Sequence, residues 1–330
     1  MTPAIRWLLM LLPFALWGTA MAAMTPLLVG TQPLLVAALR LLPAGLVLLA
    51  VTVVLGRPLA VDSRDWPWLL LFAAVDGALF QGLLAMGLGR SGAGLGSVLI
   101  DSQPLLVALL ARVLFGEAIN PVGWCGLLLG VLGILCLGLP ADLLRHWWLE
   151  GPRVSDLQAW SHGELWMLGA AAAMAVGTVL CRFATKHSDA LVVTGWHMLL
   201  GGLPLVLGAA WMAQFPASDA GPQAAVALGF WPQWTATEWG LMAYASLLGS
   251  ALAYGLFFWF ASQGDLTGFS ALTFLTPVFA LLSGLLFLEE SLRPLQWLGA
   301  LLALLSVLLI HQRQSLWQGR WFNVASEEMS

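Results

Sequence analysis

Charge is what this sequence has least of. Of its 330 residues only 9% are Asp, Glu, Lys or Arg, while 60% are hydrophobic and the mean hydropathy is +0.88. A soluble domain needs roughly a quarter of its residues charged to cover its surface, so the scarcity excludes an ordinary water-soluble fold. Cysteine is scarce too. Cys125, Cys136 and Cys181 fall inside apolar runs, without metal-ligand spacing or loop placement, which excludes a disulfide framework and leaves small packing residues. The net charge of −4 is spread over short loops rather than gathered in a basic or acidic tail, so no nucleic-acid surface is expected. The only glycine-rich run, "GRSGAGLGS" (89–97), lacks the strand–turn–helix context of a phosphate loop. Neither a cofactor nor a metal is implied.

What is present is long apolar stretches, about 20 residues each, the length that crosses a bilayer. Ten candidates stand out, at 7–29, 33–56, 66–89, 92–115, 119–139, 164–185, 189–212, 238–262, 266–288 and 292–312. Eighteen tryptophans accompany them, many at span ends (Trp66, Trp68, Trp239, Trp297, Trp317), where an indole suits the headgroup level. Arg6 and "TAMAAM" (19–24) imitate a secretory leader, but Trp17-Gly18 interrupts the run and the apolar stretch continues to Val29. A retained first span is expected.

The two long linkers, 140–163 and 213–237, divide the chain unevenly, and the first leaves five spans on each side. Shifting the sequence by 173 residues lays Trp66 on Trp239, Gly82 on Gly255 and Ser97 on Ser270. In the same register Pro104 falls on Pro277, Glu117 on Glu290, Pro121 on Pro294 and Trp124 on Trp297. Matches at proline, glutamate and tryptophan in one register indicate an internal duplication. An odd number of crossings inverts the second copy, the arrangement found in secondary transporters, with the substrate site between the repeats. The fold expected is all-α, ten transmembrane helices in two inverted five-helix repeats (1–139 and 164–312), joined by 140–163 and followed by a tail, 313–330. Lys and Arg count seven against four in favour of both termini on the cytoplasmic side of the cell membrane.

The motifs that carry a family likeness are "ALWGTAMA" (15–22), "LLVAALRLLPAGL" (34–46) and two long paired segments. The pair is "QPLLVALLARVLFGEAINPVGWCGLLLGVLGI" (103–134) and "TPVFALLSGLLFLEESLRPLQWLGALLALLSV" (276–307). This pattern resembles EamA-type members of the drug/metabolite transporter superfamily, from about residue 7 to 312. The resemblance implies a transporter, not an enzyme, that exports a small organic metabolite such as an amino acid or related compound. It departs from the family in the polar "IDSQ" (100–103) and in Gly195-Trp196-His197, where a glutamine often replaces His197.

Polar residues inside the spans are the candidates for a pathway, because an ionised group there costs about 2.5–3.5 kcal/mol and is kept for a reason. Asp101 lies near the middle of the fourth span, followed by Ser102, Gln103 and Pro104; Asp76 is central in the third, with Gln81 after it. Arg40 is the nearest cation for either acid. Two readings stand side by side: a structural Arg–Asp pair, or an acid that faces a cavity and binds a proton or a cationic group. Arg112 is about 16 Å along the helix from Asp101 and is expected to snorkel to the surface instead. His197 aligns with Arg40 when the second spans are superposed, which suggests opposite gates or a packed histidine. Tyr254, opposite Gln81 in the repeat register, could line a pocket with Trp17, Trp196, Tyr244, Phe257 and Trp259. Pro104 and Pro277 are expected to kink their spans, and Glu117 and Glu290 to cap turns. Outside the spans, His187-Ser188-Asp189 is the nearest approach to a nucleophilic set. An intramembrane enzyme on a lipid-linked substrate and a membrane scaffold or sensor remain the alternatives. The expected partners are a small molecule, the bilayer and protons; monomer and homodimer stay open.

Overall fold

The computed structural model of the chain describes residues 2–91, 99–138, 162–214, 231–287 and 294–318. All regular structure in these residues is helical. Among the described residues, seven helices are long and apolar enough to cross a membrane, from Ala4–Leu28 to Pro294–His311. Three shorter apolar segments, Gln103–Phe115, Pro121–Leu137 and Leu266–Leu282, lie where the fourth, fifth and ninth spans are expected. Exposed Leu and Val side chains such as Leu46, Val54, Leu207 and Leu301 cover the outside, as lipid-facing positions require. The rings of Trp66, Trp239, Trp297 and Trp317 are likewise turned outward. The three cysteines are unpaired. The linker 140–163 and Glu290 fall almost wholly or wholly outside the described residues.

The first half contributes α1 (Pro3–Met24), α2 (Pro33–Val54), α3 (Trp66–Phe72), a π-helical segment (Ala73–Phe80), α4 (Gln81–Ser91), α5 (Gln103–Phe115) and α6 (Pro121–Gly138). The second half contributes α7 (His162–Ala184), α8 (Ala190–Gln214), α9 (Ala236–Ser246), a second π-helical segment (Leu247–Leu252), α10 (Ala253–Ala261), α11 (Leu266–Ala271), a 3-10 helix (Leu272–Leu275), α12 (Thr276–Phe287) and α13 (Pro294–His311). A last short helix, α14, spans Arg313–Trp317.

Two irregularities recur in register. Under the 173-residue shift the second π segment falls on residues 74–79, inside the first. The 3-10 helix falls on residues 99–102, where the fourth span breaks at a turn through Asp101 and Ser102. The fourth span is therefore not continuous through Asp101, as the apolar run alone suggests. Pro104 stands at the second residue of Gln103–Phe115, just after that turn, where a missing N–H costs nothing. Pro277 is the second residue of Thr276–Phe287, which runs on directly from the 3-10 helix, so it sits where the helix changes its winding.

Packing pairs equivalent elements of the two halves. α2 lies along α8 and α6 along α13. Glycine sets both approaches: a Cβ on Gly133 would stand 2.9 Å from the Gly299 carbonyl oxygen, and one on Gly299 2.7 Å from that of Gly133. Gly45 and Gly195 face each other in the same reciprocal way across α2 and α8. Backbones this close need small residues at the crossing.

Candidate functional site

The centre of the molecule is aromatic. Trp17 on α1 lies against Tyr254 and Phe257 on α10, with ring centroids 4.8 and 4.9 Å apart. Beside this cluster is a cavity walled by both halves, with Trp17, Arg40, Asp101, Tyr254, Thr273 and Thr276 supplying its polar groups. About 40 Å³ of it is open to the centres of water-sized molecules, room for about three waters. It lies between the break in the fourth span and the 3-10 helix, which also touch directly: Gln103 Nε2 donates to Thr273 Oγ1 at 3.3 Å.

The polar atoms on this wall are under-used. Trp17 Nε1, Arg40 Nε, Asp101 Oδ2 and Thr276 Oγ1 are buried and have no partner within the protein. Orphaned buried groups cost about 1–3 kcal/mol each, and four around one cavity provide donors and acceptors for something that enters it. Arg40, 3% exposed, is otherwise engaged by Gln81 Oε1 and by Met24 Sδ. Tyr254 borders the same cavity as Arg40, which holds Gln81, so the residues that face each other in the repeat register lie close together.

The acids do not share Arg40. Asp76, in the first π segment, pairs with His197 on α8, with Nε2 and Oδ2 2.8 Å apart and both side chains 0% exposed. His197 is held by a stack on Phe72 at 4.1 Å and by Nδ1, 3.1 Å from the Thr194 carbonyl oxygen. The approach again depends on glycine, since a Cβ on Gly77 would lie 2.8 Å from the His197 carbonyl. Arg40 and His197, aligned in the repeat register, take different partners. They engage Gln81 and Asp76, five residues apart on one span. The direct Arg–Asp pair expected as a structural lock does not occur among the described residues.

Of the other expected residues, Ser102 Oγ donates to Leu99 O at 2.7 Å and Gln103 braces the helix break. Tyr244 is bonded to Thr19, Trp196 Nε1 donates to Leu59 O at 3.1 Å, and Trp259 packs edge-on against Phe260. None of these three borders the cavity. Thr273 and Thr276 do, and neither was apparent from composition. The register holds the signal for one of them, because Thr276 is the repeat partner of Gln103.

Glu117 caps a helix, though not its own. Its carboxylate accepts from Leu266 N (2.9 Å), Thr267 N (3.0 Å) and Thr267 Oγ1 (2.7 Å), and pairs with Arg182 at 3.3 Å. His187, Ser188 and Asp189 are occupied in a second tie between the halves. His187 N, Ser188 Oγ and the His187 ring contact Asp65, each at 2.8 Å, and Asp189 binds Arg57 at 2.7 Å. Burial pushes the Asp65 carboxyl up, but the bonds from His187 and Ser188 outweigh it and hold the group below the ordinary value of 3.8. A serine that donates to a buried carboxylate is not poised as a nucleophile.

Comparison with known proteins follows the same halves. The EamA-like transporter family matches residues 5–139 and again 161–312. An uncharacterised transporter of Synechocystis is 50% identical over 94% of this chain and 90% of its own. A chloroplastic WAT1-related protein of Arabidopsis thaliana is 45% identical over 93% of this chain and 69% of its own. A solved crystal structure, 19% identical, shares the fold with a TM-score of 0.69 over 93% of this chain and 96% of the other.

Proposed function

The chain belongs to the EamA-like transporter family, and from that premise we propose that it is a secondary carrier of ten helices in two inverted repeats. It sits in the cell membrane with both termini cytoplasmic and exports a small polar metabolite, such as an amino acid or related compound. The paired π segments, the 3-10 helix in register with the break at Asp101–Ser102, and the pairwise packing of α2 with α8 and α6 with α13 support two related halves. Such halves can exchange conformations, which is how inverted repeats alternate access.

One observation carries the substrate reading: the cavity between the halves is walled by a guanidinium and a carboxyl with unpaired atoms, plus an indole N–H and a hydroxyl. A compound with both an anionic and a basic group would satisfy them together. Arg40 suits a carboxylate. Asp101 suits an ammonium. With room for about three waters, the cavity must widen to admit a metabolite.

The test is efflux from proteoliposomes loaded with a mixed metabolite pool, followed by mass spectrometry, for wild type, Asp101→Asn and empty liposomes. Selective release of zwitterionic compounds by wild type, reduced in Asp101→Asn, is the expected result. Folded wild type that releases nothing beyond empty liposomes would remove the carrier reading.

A further inference from the structure

We propose that Asp76 and His197 together bind the proton that drives transport, at a site separate from the substrate cavity. This rests on the carrier reading.

The argument is one of donors and acceptors. His197 Nδ1 faces the Thr194 carbonyl at 3.1 Å. A carbonyl oxygen can only accept, so Nδ1 carries a hydrogen. A neutral imidazole has one N–H, which leaves Nε2 as a bare acceptor. Yet Nε2 stands 2.8 Å from Asp76 Oδ2, and a bare nitrogen facing an ionised carboxylate would be two acceptors in contact. One further proton must lie between them, either on His197 as imidazolium or on Asp76 as the acid. Both forms are net neutral, as a fully buried pair requires. Release of that proton leaves a bare imidazole beside a carboxylate, a net negative charge on a fully buried pair that desolvation opposes. The proton can therefore leave only when the packing around the pair opens, which is the property a coupling site needs.

The surroundings fit exchange tied to movement. Asp76 sits in a π-helical segment, a rare winding found often at functional sites. Asp76 Oδ1 has no partner and lies against Gly177, where an added Cβ would be 2.5 Å away. One turn from Gly177 on α7, Met174 borders the cavity. Among the described residues, the charged and titratable groups that act on the pair are Arg40 from α2, Cys181 from α7 and Tyr254 from α10. Arg40 and Tyr254 belong to the cavity wall as well, so a substrate there and a proton on the pair act on shared neighbours. Asp101, by contrast, has no imidazole partner among the described residues and faces the cavity itself.

Two readouts test this, one of them independent of transport. Nitrogen NMR of the protein with 15N-labelled histidine, assigned with His197→Gln, should show an Nδ1–H and a proton shared at Nε2 for His197 at neutral pH. In Asp76→Asn, whose amide can donate to Nε2, His197 should become the neutral Nδ1–H tautomer. A neutral Nε2–H form with bare Nδ1 in the wild type would overturn the proposal. In the loaded proteoliposomes, each unit of inward pH gradient should raise the attainable substrate gradient up to about tenfold for one coupled proton, and Asp76→Asn should lose that response. A response retained in Asp76→Asn, or lost only in Asp101→Asn, would overturn the assignment. Absence of any efflux from wild type would remove the carrier reading and the coupling role with it, whatever the NMR shows of the proton itself.

Discussion

Glu117 caps the start of a helix 149 residues away, accepting the backbone N–H of Leu266 at 2.9 Å while it holds Arg182 on α7 at 3.3 Å. The contact joins the turn after α5 to α11 and α7, so one carboxylate fastens the first half to two elements of the second. Gly116, at φ 69°, turns the chain to present it.

Removing that fastening should loosen the protein. Glu117→Ala abandons two backbone donors, a hydroxyl and a guanidinium, and bonds to a charged acceptor are worth about 1.5–3 kcal/mol. A loss of about 2–3 kcal/mol is expected, read as a lower thermal midpoint in nanodiscs, with Glu117→Gln intermediate. An unchanged midpoint for Glu117→Ala would show that the tie contributes nothing.

Thr276→Val separates fold from function. The Thr276 hydroxyl is buried on the cavity wall without a partner, so an apolar isostere removes an unsatisfied group. Stability should hold or rise slightly. If the hydroxyl bonds the substrate, apparent affinity should fall about five- to tenfold, equivalent to about 1–1.4 kcal/mol. A destabilised variant with unaltered affinity would place Thr276 in the structure rather than the site.

Gly177→Ala tests the Asp76–His197 pair without touching either partner. The new methyl would lie 2.5 Å from Asp76 Oδ1 and 2.6 Å from its Cβ, so the carboxyl must shift. Overpacking of this kind costs about 1–3 kcal/mol, and the His197 nitrogen resonances should move with it. Wild-type spectra from a stable Gly177→Ala protein would contradict the packing described.

Asp65 predicts an acid limit. Its folded value lies below 3.8, so its contribution to stability is complete above about pH 4 and is lost as pH falls through the lower folded value. Thermal midpoints measured on acidification should decline in wild type, with a smaller slope in Asp65→Asn. Parallel curves would mean that Asp65 contributes no pH dependence.

Much of this was legible in the sequence for physical reasons. Lipid leaves every backbone group to be satisfied within its own helix, so apolar length alone marks the spans, and Pro104–Pro277 with Trp124–Trp297 marks the duplication. Arg40, Asp101, Trp17 and Tyr254 could be nominated because polar and amphipathic groups within spans are few enough to stand out. What only tertiary structure decided was partnership. Asp76 is nearer in sequence to Arg40, yet it meets His197, 121 residues on, because glycines at 77 and 201 let two backbones close together. The break at Asp101–Ser102 was hidden as well, since an apolar run has the same composition whether the helix through it is whole or interrupted. Apolar pattern is local and can be read along the chain; which polar groups share a cavity depends on how helices cross, and that is set by packing between residues far apart.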